Sequence, residues 1–500
     1  MNRPRLARSA HRPRGLAWVF GLTFLVPAIV GTFGGCGPDE PEVLSREELL
    51  DPVACGKCHQ DHFREWSGSM HAYAAEDPVF VALNKRMQRE TNGQLGDFCV
   101  KCHAPMAVRD NKTKDGLNLA ELPAKYRGVT CYFCHTVESG GASHNNGLAN
   151  ADDAVMRGPF ADPVSNSAHR SIRSNLHDQG DLASSSMCGS CHDIVTPGGA
   201  HIERTFAEWK ESLFATETGL TCGSCHMKGS GGLQPVANTP GVFARTAHSH
   251  TFAGVDRALT PWPNEAEQKQ EIQDFLDTSL QASLCVARLG TSAQIRVVLD
   301  NVFAGHAFPS GATSDRRVWA EIVATKGGQV IYQSGVVPDG TPVMASETDK
   351  DLWLLRDRHF DKDGKETHLF GLTTCYVSEL LPFPVTANMA DPRFYQRNIV
   401  RDFPVDGSFI PLPETITMRV RIMPVGLEVL DDLIASGDLD PAIRSKVEPM
   451  QVGPTITWTP GLTPPFIEPG TGTPYECVTR TNQDFRANKF PPTVVNTCNP

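Results

Sequence analysis

The sequence is short of positive charge and has no long apolar run beyond its N-terminus, and both absences exclude classes of protein. Its 46 Lys and Arg are outnumbered by 57 Asp and Glu, giving a net charge of −11, which argues against nucleic-acid binding. Glycine and proline, 43 and 37 of 500 residues, stay below the roughly 25–30% of low-complexity chains. With 40% hydrophobic residues, the chain is expected to form two or three globular domains.

The N-terminus has the composition of a secretory signal. Five arginines precede an apolar run from Leu16 to Val30, and small residues follow, so residues 1–35 are predicted to be a signal peptide and residues 36–50 a linker. The apolar run is shorter than the roughly 20 residues of a bilayer span. A transmembrane segment is the alternative.

The end of this signal resembles a bacterial lipoprotein lipobox. Gly35 precedes Cys36 as in that motif, whereas Phe33 occupies the position usually held by leucine. The resemblance implies a lipidated Cys36 and a location in the bacterial cell envelope, either periplasmic or anchored to a membrane. An ordinary cleaved signal is the alternative. If cleavage occurs at Cys36, five arginines leave, and the net charge becomes −16.

Ten of the 15 cysteines lie in five copies of the pattern C-x-x-C-H, which is typical of covalent c-type haem attachment. Two thiols reach the two vinyl groups of one porphyrin, and the adjacent imidazole binds iron from the proximal side. The composition predicts about 0.015 such patterns by chance. Zinc ribbons or disulfides would leave the histidine after every pair unexplained. The predicted attachment cysteines are Cys55 and Cys58, Cys99 and Cys102, Cys131 and Cys134, Cys188 and Cys191, and Cys222 and Cys225. The predicted proximal ligands are His59, His103, His135, His192 and His226.

These motifs crowd five cofactors into residues 55–226, so the porphyrins are expected to form the core of a haem domain over residues 51–260. Helices and loops would wrap around them. A helix broken at Pro78 is predicted over residues 61–87, and a second helix over residues 203–214.

A second set of histidines is needed if the irons are to be six-coordinate. Trp66, Ser69 and His71 form a W-x-x-S-x-H element after the first motif, which resembles the cytochrome c554 family of multihaem cytochromes. That resemblance implies that His71 is a distal ligand, commonly to a different haem. The order of the later motifs resembles the same superfamily and suggests His169.

Four further histidines are candidates for the remaining irons. His248 and His250 both lie just past the last motif, and His250 is the favoured ligand of the two, whereas His144 and His177 compete for a remaining site. His306 lies in a sequence that resembles the G-H-x-F-P-x-G element in the β-domain of many bacterial multihaem cytochromes. A buried, hydrogen-bonded histidine at a domain interface is the alternative for His306.

The second half of the chain has a different sequence pattern from the first. Residues 261–284 are predicted to be a helical connector, residues 285–460 an antiparallel β-sandwich, and residues 461–500 a proline-rich tail. Strands are predicted over residues 293–302, 317–325, 330–334 and 415–423, with an inserted helix over residues 427–436. The fold class is therefore α+β and multidomain, a mostly helical pentahaem cytochrome c module followed by a β-sandwich.

Two smaller features are open at this stage. Residues 361–366, D-K-D-G-K-E, favour a hairpin turn, with a calcium loop as the alternative. Cys285, Cys375, Cys477 and Cys498 are outside the haem motifs and allow three disulfide pairings, of which Cys477 with Cys498 would tie down the tail.

The sequence favours an electron-transfer protein with five, mostly bis-histidine, haems and no catalytic residue of its own. The alternative is a multihaem oxidoreductase with one open haem acting on a small nitrogen or sulfur compound. Redox proteins are the expected partners, either basic ones or other multihaem cytochromes, because haem propionates would add to an already acidic chain.

Overall fold

Helices dominate the first half of the chain and strands the second, in a computed structural model that describes residues 43–164, 168–344, 348–479 and 495–498. The predicted signal peptide and Cys36 lie outside these residues. The helices are Arg46–Leu49 (α1), Pro52–Gly56 (α2), Gln60–Ser67 (α3), Met70–Tyr73 (α4), Pro78–Glu90 (α5), Val100–His103 (α6), Pro105–Arg109 (α7), Cys131–His135 (α8), Ser184–Gly189 (α9), Thr205–Glu211 (α10), Cys222–His226 (α11), Glu265–Ser279 (α12) and Leu427–Ala435 (α13). Within the described ranges, no helix has the length and apolarity that crossing a bilayer requires.

The strands are short in the first half and long in the second. They are Val137–Gly140 (β1), Leu148–Asn150 (β2), Val155–Gly158 (β3), Arg170–Arg173 (β4), Ile194–Val195 (β5), His201–Ile202 (β6), Leu233–Pro235 (β7), Ala244–Thr246 (β8), Gln281–Leu289 (β9), Ser292–Asp300 (β10), Arg317–Lys326 (β11), Gln329–Ser334 (β12), Leu354–Leu355 (β13), Asp357–Phe360 (β14), Cys375–Ser378 (β15), Asn398–Phe403 (β16), Thr415–Met423 (β17), Met450–Trp458 (β18), Phe466–Ile467 (β19) and Pro474–Val478 (β20).

The haem-motif half consists of short helices joined by loops. The predicted break before Pro78 is confirmed: Asp77 caps α5 by accepting from the backbone N–H of Val79, and Pro78 occupies the first turn, where its missing N–H costs nothing. Many of the backbone hydrogen bonds here are turn and cap interactions.

Two antiparallel sheets face each other in the second half, as the sequence predicts. One has the strand order β16-β10-β9-β20-β19, and the other has β12-β11-β17-β18 with β13 beside β11. Alternate residues of β17 (Ile416, Met418, Val420 and Ile422) are buried between the sheets, so the period-2 pattern marks the inner face. The core also receives Ile272 and Leu276 from α12.

Strand β9 was missed by the sequence pattern, which runs the connector helix to residue 284. Helix α12 ends at Ser279, and β9 begins at Gln281 and pairs with β10 over nine residues. Strands β19 and β20 come from the segment expected to be a proline-rich tail, and β20 pairs with β9. Strands as short as β19 and β20 are stabilised by pairing with neighbouring strands, and the local sequence does not reveal this pairing.

The favoured disulfide, Cys477 with Cys498, is wrong. Cys477 bonds to Cys285, and Cys498 bonds to Cys375. The physical reason is register: β20 pairs with β9 so that Cys477 lies directly opposite Cys285.

The turn predicted at residues 361–366 is confirmed. Asp361 Oδ1 accepts from the backbone N–H groups of Asp363 and Lys365, and Glu366 is paired with Arg356 and Arg358. Both carboxylates are therefore engaged by the protein. No group of three or more His, Cys, Asp or Glu side chains placed to hold a metal ion occurs in the described ranges, so the calcium alternative gains no support.

Candidate haem-binding sites

Each C-x-x-C-H motif lies on or beside a single helical turn. In the third and fifth motifs the helix begins at the first cysteine and ends at the histidine, in α8 and α11. Spacings of three and four residues place both thiols and the imidazole on one side of such a turn. Thr221 caps α11, its hydroxyl accepting from the backbone N–H of Ser224. A short, capped turn thus presents all three groups that one haem requires.

Four of the five proximal imidazoles are oriented by a backbone carbonyl that lies far along the chain or in another loop. Because a carbonyl oxygen can only accept, each Nδ1 carries the proton and each Nε2 is left with the lone pair that iron needs. The Nδ1–oxygen distances are 2.7 Å for His59 to Val236, 3.0 Å for His103 to Ala74, 2.7 Å for His135 to Arg157 and 2.8 Å for His226 to Ala253.

The separation between histidine rings tests whether two imidazoles could share one iron. Two iron–nitrogen bonds of about 2 Å, each extended by about 1.15 Å to the ring centre, place the two centroids about 6.3 Å apart. Five pairs of a proximal histidine with a histidine outside the motifs meet this value, and two of them share His59. His62, three residues along the chain, lies 6.1 Å from His59 with the ring planes 79° apart, whereas His169 lies at the same 6.1 Å with the planes 26° apart and comes from a distant segment, so His169 is the candidate partner. The four candidate pairs are His59–His169 at 6.1 Å, His192–His71 at 6.3 Å, His135–His250 at 6.4 Å and His226–His306 at 6.5 Å.

His71 is held in place by the segment that leads into the third motif. Trp66 Nε1 donates to the carbonyl of Val129 at 2.8 Å, and the backbone N–H of Val129 donates to the carbonyl of His71 at 2.8 Å. Ser69 caps α4, on which His71 lies. Gly128, at φ +80°, allows this approach, since a Cβ there would lie 2.5 Å from the carbonyl of Ala72. The W-x-x-S-x-H element thus has a structural explanation for each of its residues.

The second motif differs from the others. Phe80 of α5 stacks on the His103 ring with centroids 3.8 Å apart and planes 5° from parallel. Among the described residues, no histidine ring faces His103 at the 6.1–6.5 Å separation of the four pairs. Sequence reasoning missed Phe80, and nothing in the spacing of Phe80 and His103 could have indicated this contact.

His177 and His144, the two competing candidates, lie near motifs but in other arrangements. The ring of His177 stacks beside His135 at 5.5 Å, and its Nε2 donates to the carbonyl of Cys134 at 2.8 Å. His144 has its ring 6.4 Å from that of His201, at an angle of 71°. The geometry therefore favours His250 over His177 as the partner of His135.

Removal from water keeps these imidazoles neutral. It lowers the pKa of His71 and His135 to about 3 and that of His103 and His306 to about 4, because the charged form loses its hydration. Neutral imidazole is the form that binds iron. The chain is thus prepared for ligation at neutral pH.

The cysteines of different motifs are close enough to influence one another's pKa values. The thiol of Cys55 interacts with that of Cys131, Cys102 with Cys191, and Cys188 with Cys222. Cys134 is close enough to Cys188 and Cys191 to influence both electrostatically. The fourth motif therefore contacts the second and fifth directly and lies near the third, which in turn contacts the first.

Comparisons with known proteins agree with this arrangement. Residues 54–136 match the family described as cytochrome c554 and c-prime. The fold is similar to that of a penta-heme cytochrome c552 from Thermochromatium tepidum, with a TM-score of 0.53 and 18% sequence identity over 83% of this chain and 99% of that one. A search of curated proteins gave no match. The cysteine–histidine turns, the family match over residues 54–136 and the similarity of fold together support a multihaem c-type cytochrome.

Proposed function

We propose that the protein transfers electrons through five covalently attached c-type haems, most of them with two histidine ligands. The observation that carries this proposal is the set of four imidazole pairs at 6.1–6.5 Å. Bound haem would supply a one-electron couple, and the two imidazoles of each pair would be the protein ligands of its iron.

The residues of the chain perform three tasks in this function. The cysteine pairs fix each porphyrin, the proximal imidazoles are oriented by carbonyls, and His71, His169, His250 and His306 approach from other segments. Because carbonyl acceptors such as Val236 and Arg157 belong to the folded backbone, the imidazole orientation need not change when an electron arrives. The contacts between motifs support electron exchange among neighbouring sites.

His71 offers the most direct test of the pairing. His71→Ala should leave the iron bound by His192 with one imidazole, which adds one high-spin ferric haem and one carbon monoxide site after reduction. His248→Ala is the matched control, because His248 lies in the same module outside the four pairs. An unchanged spectrum in His71→Ala would remove this ligand assignment.

Location and partners form part of the same proposal. We infer export to the bacterial periplasm or attachment to a membrane through a lipidated Cys36, and exchange of electrons with basic or multihaem redox proteins. Replacement of Cys36 by serine should move the protein from the membrane fraction to the soluble periplasmic fraction. Equal membrane retention of the variant would exclude the lipid anchor.

A second function is favoured by the second motif. His103 has a stacked phenylalanine and no described histidine opposite it, so a haem there would have an open side able to bind a small nitrogen or sulfur compound. Hydroxylamine or nitrite added to the reduced holoprotein should then reoxidise it in a reaction that carbon monoxide inhibits. Absence of reoxidation by either compound would refute a reaction of this haem with these two nitrogen compounds.

A further inference from the structure

The fifth iron site is divided between the two halves of the molecule. His226 belongs to α11 in the haem module, whereas His306 lies in the loop between β10 and β11 of the sandwich, and their rings are 6.5 Å apart and within 14° of parallel. Whatever fixes this loop against the haem module therefore determines whether the two imidazoles can share an iron.

The loop is braced first within its own domain. The fully buried Asn301 donates through Nδ2 to the carbonyl of His306 at 2.7 Å and accepts from the backbone N–H of Ala304 at 3.1 Å. Phe308 and Leu381 exchange two backbone hydrogen bonds of 2.9 Å. These contacts shape the loop but do not connect it to the haem module.

Two carboxylates of the haem module reach this loop: Asp256 pairs with Arg316 at the end of the loop, at 2.7 and 2.8 Å, and Glu208 holds the loop beside His306. Glu208 of α10 accepts from the backbone N–H of Ala307 at 3.1 Å and from the hydroxyl of Ser310 at 3.3 Å, both through Oε2. The hydroxyl of Ser310 also lies 2.6 Å from that of Thr205, one turn earlier on the same helix. Glu208 thus holds the loop at the residue that directly follows His306.

We propose that Glu208 is a positioning residue that seats the sandwich loop on the haem module and so places His306 opposite His226. The buried N–H of Ala307 would be costly to leave unpaired, and Oε2 of Glu208 can accept from it whether the carboxyl group is ionised or neutral. This inference rests on the proposed function, since it requires that His306 bind iron.

The test uses the haem-loaded full-length protein and counts carbon monoxide molecules bound per chain after reduction. Glu208→Ala should bind one more than wild type and show one more high-spin ferric haem. Glu211→Ala, the control, changes an exposed glutamate of the same helix and should match wild type. An unchanged count in Glu208→Ala overturns the proposal.

Two conservative variants separate positioning from general destabilisation and decide the matter if Glu208→Ala does not accumulate. Glu208→Gln keeps an acceptor oxygen at the same reach and should retain the wild-type count. Glu208→Asp keeps the charge but withdraws the oxygen by one methylene, and it should gain the extra carbon monoxide site. An extra carbon monoxide site in Glu208→Gln with none in Glu208→Asp overturns the proposal.

His306→Ala distinguishes failure of the inference from failure of its premise. If His306→Ala gains a carbon monoxide site while the Glu208 variants do not, His306 is a ligand and only the role of Glu208 is refuted. If His306→Ala equals wild type, the ligation itself is refuted, and the role of Glu208 falls with it.

Discussion

At the residue scale, the separation and orientation of ring pairs distinguish histidines that sequence position alone does not. His169 and His177 are eight residues apart, and both lie near proximal histidines. His169 faces His59 at 6.1 Å, whereas His177 stacks beside His135 and uses its Nε2 on the carbonyl of Cys134. Only the first arrangement resembles two ligands of one iron.

This contrast gives a matched pair of substitutions. His169→Ala should open the haem of the first motif and add one carbon monoxide site per chain, whereas His177→Ala should add none because its Nε2 is engaged elsewhere. The readout is carbon monoxide titration of the reduced holoprotein. An additional site in His177→Ala with none in His169→Ala would reverse the two assignments.

His359 offers a residue-scale prediction about stability. It is 1% exposed, and neither ring nitrogen has a hydrogen-bond partner among the described residues. Burial lowers the pKa of His359 to about 4, whereas its pKa in the unfolded chain is about 6.5. Between these two pH values the unfolded chain therefore binds a proton at His359 and the folded chain does not.

Because protonation favours the unfolded chain, the contribution of neutral His359 to the free energy of unfolding is present above pH 6.5 and is lost as the pH falls toward 4. Between pH 7 and pH 5 the free energy of unfolding should fall by about 2 kcal/mol through His359. The variant His359→Phe should lack this part of the pH dependence. Urea unfolding at both pH values measures this, with the exposed His201→Gln as control. Equal pH dependence in His359→Phe and wild type would refute the prediction.

At the element scale, features set by local spacing could be predicted and features set by tertiary contact could not. The haem-attachment turns follow from spacings of three and four residues, and strand β17 follows from a spacing of two residues. The bond between Cys285 and Cys477, by contrast, depends on the pairing of strands 192 residues apart, and the stacking of Phe80 on His103 depends on how α5 packs. No local pattern encodes either contact.

The central disulfide should be important for the sandwich and unimportant for the haem sites. Cys285 is fully buried and Cys477 is 6% exposed, and the bond joins β9 to β20 within one sheet. The double variant Cys285→Ala/Cys477→Ala should lose about 2–5 kcal/mol of unfolding free energy while its haem absorption is retained.

Cys375→Ala/Cys498→Ala is the control for this experiment, because that bond joins a short peripheral strand to residues 495–498. It should cost less stability than loss of the central bond, because it cross-links no pair of core strands. A larger loss for the peripheral bond, measured by denaturant unfolding, would contradict this ranking.

At the scale of the whole molecule, the helical half supplies the attachment motifs and the sandwich supplies one candidate ligand. Helix α12 joins the halves: Phe275 stacks on His226 at 5.1 Å, while Ile272 and Leu276 enter the sandwich core. The G-H-x-F-P element indicated this relationship from sequence. The contact of Glu208 with its loop could be found only in three dimensions, since a lone glutamate carries no such signal.

The acidity of the chain predicts how it meets a partner. With 57 acidic and 46 basic residues, it should react faster with a basic redox protein at low salt. The rate should fall steeply as ionic strength rises from about 20 mM to about 500 mM, because screening shortens the range of attraction. Stopped-flow reduction measures this, with an uncharged small-molecule reductant as control. A rate with the basic protein that does not change with salt would exclude electrostatic steering.

We propose that the chain holds five haems, four between paired histidines and one, at His103, with an open side. The most direct test of this proposal is titration of the reduced holoprotein with carbon monoxide, with haem content determined on the same sample. The account predicts five haems and one bound carbon monoxide per chain. Binding of none, or of two or more, would contradict it.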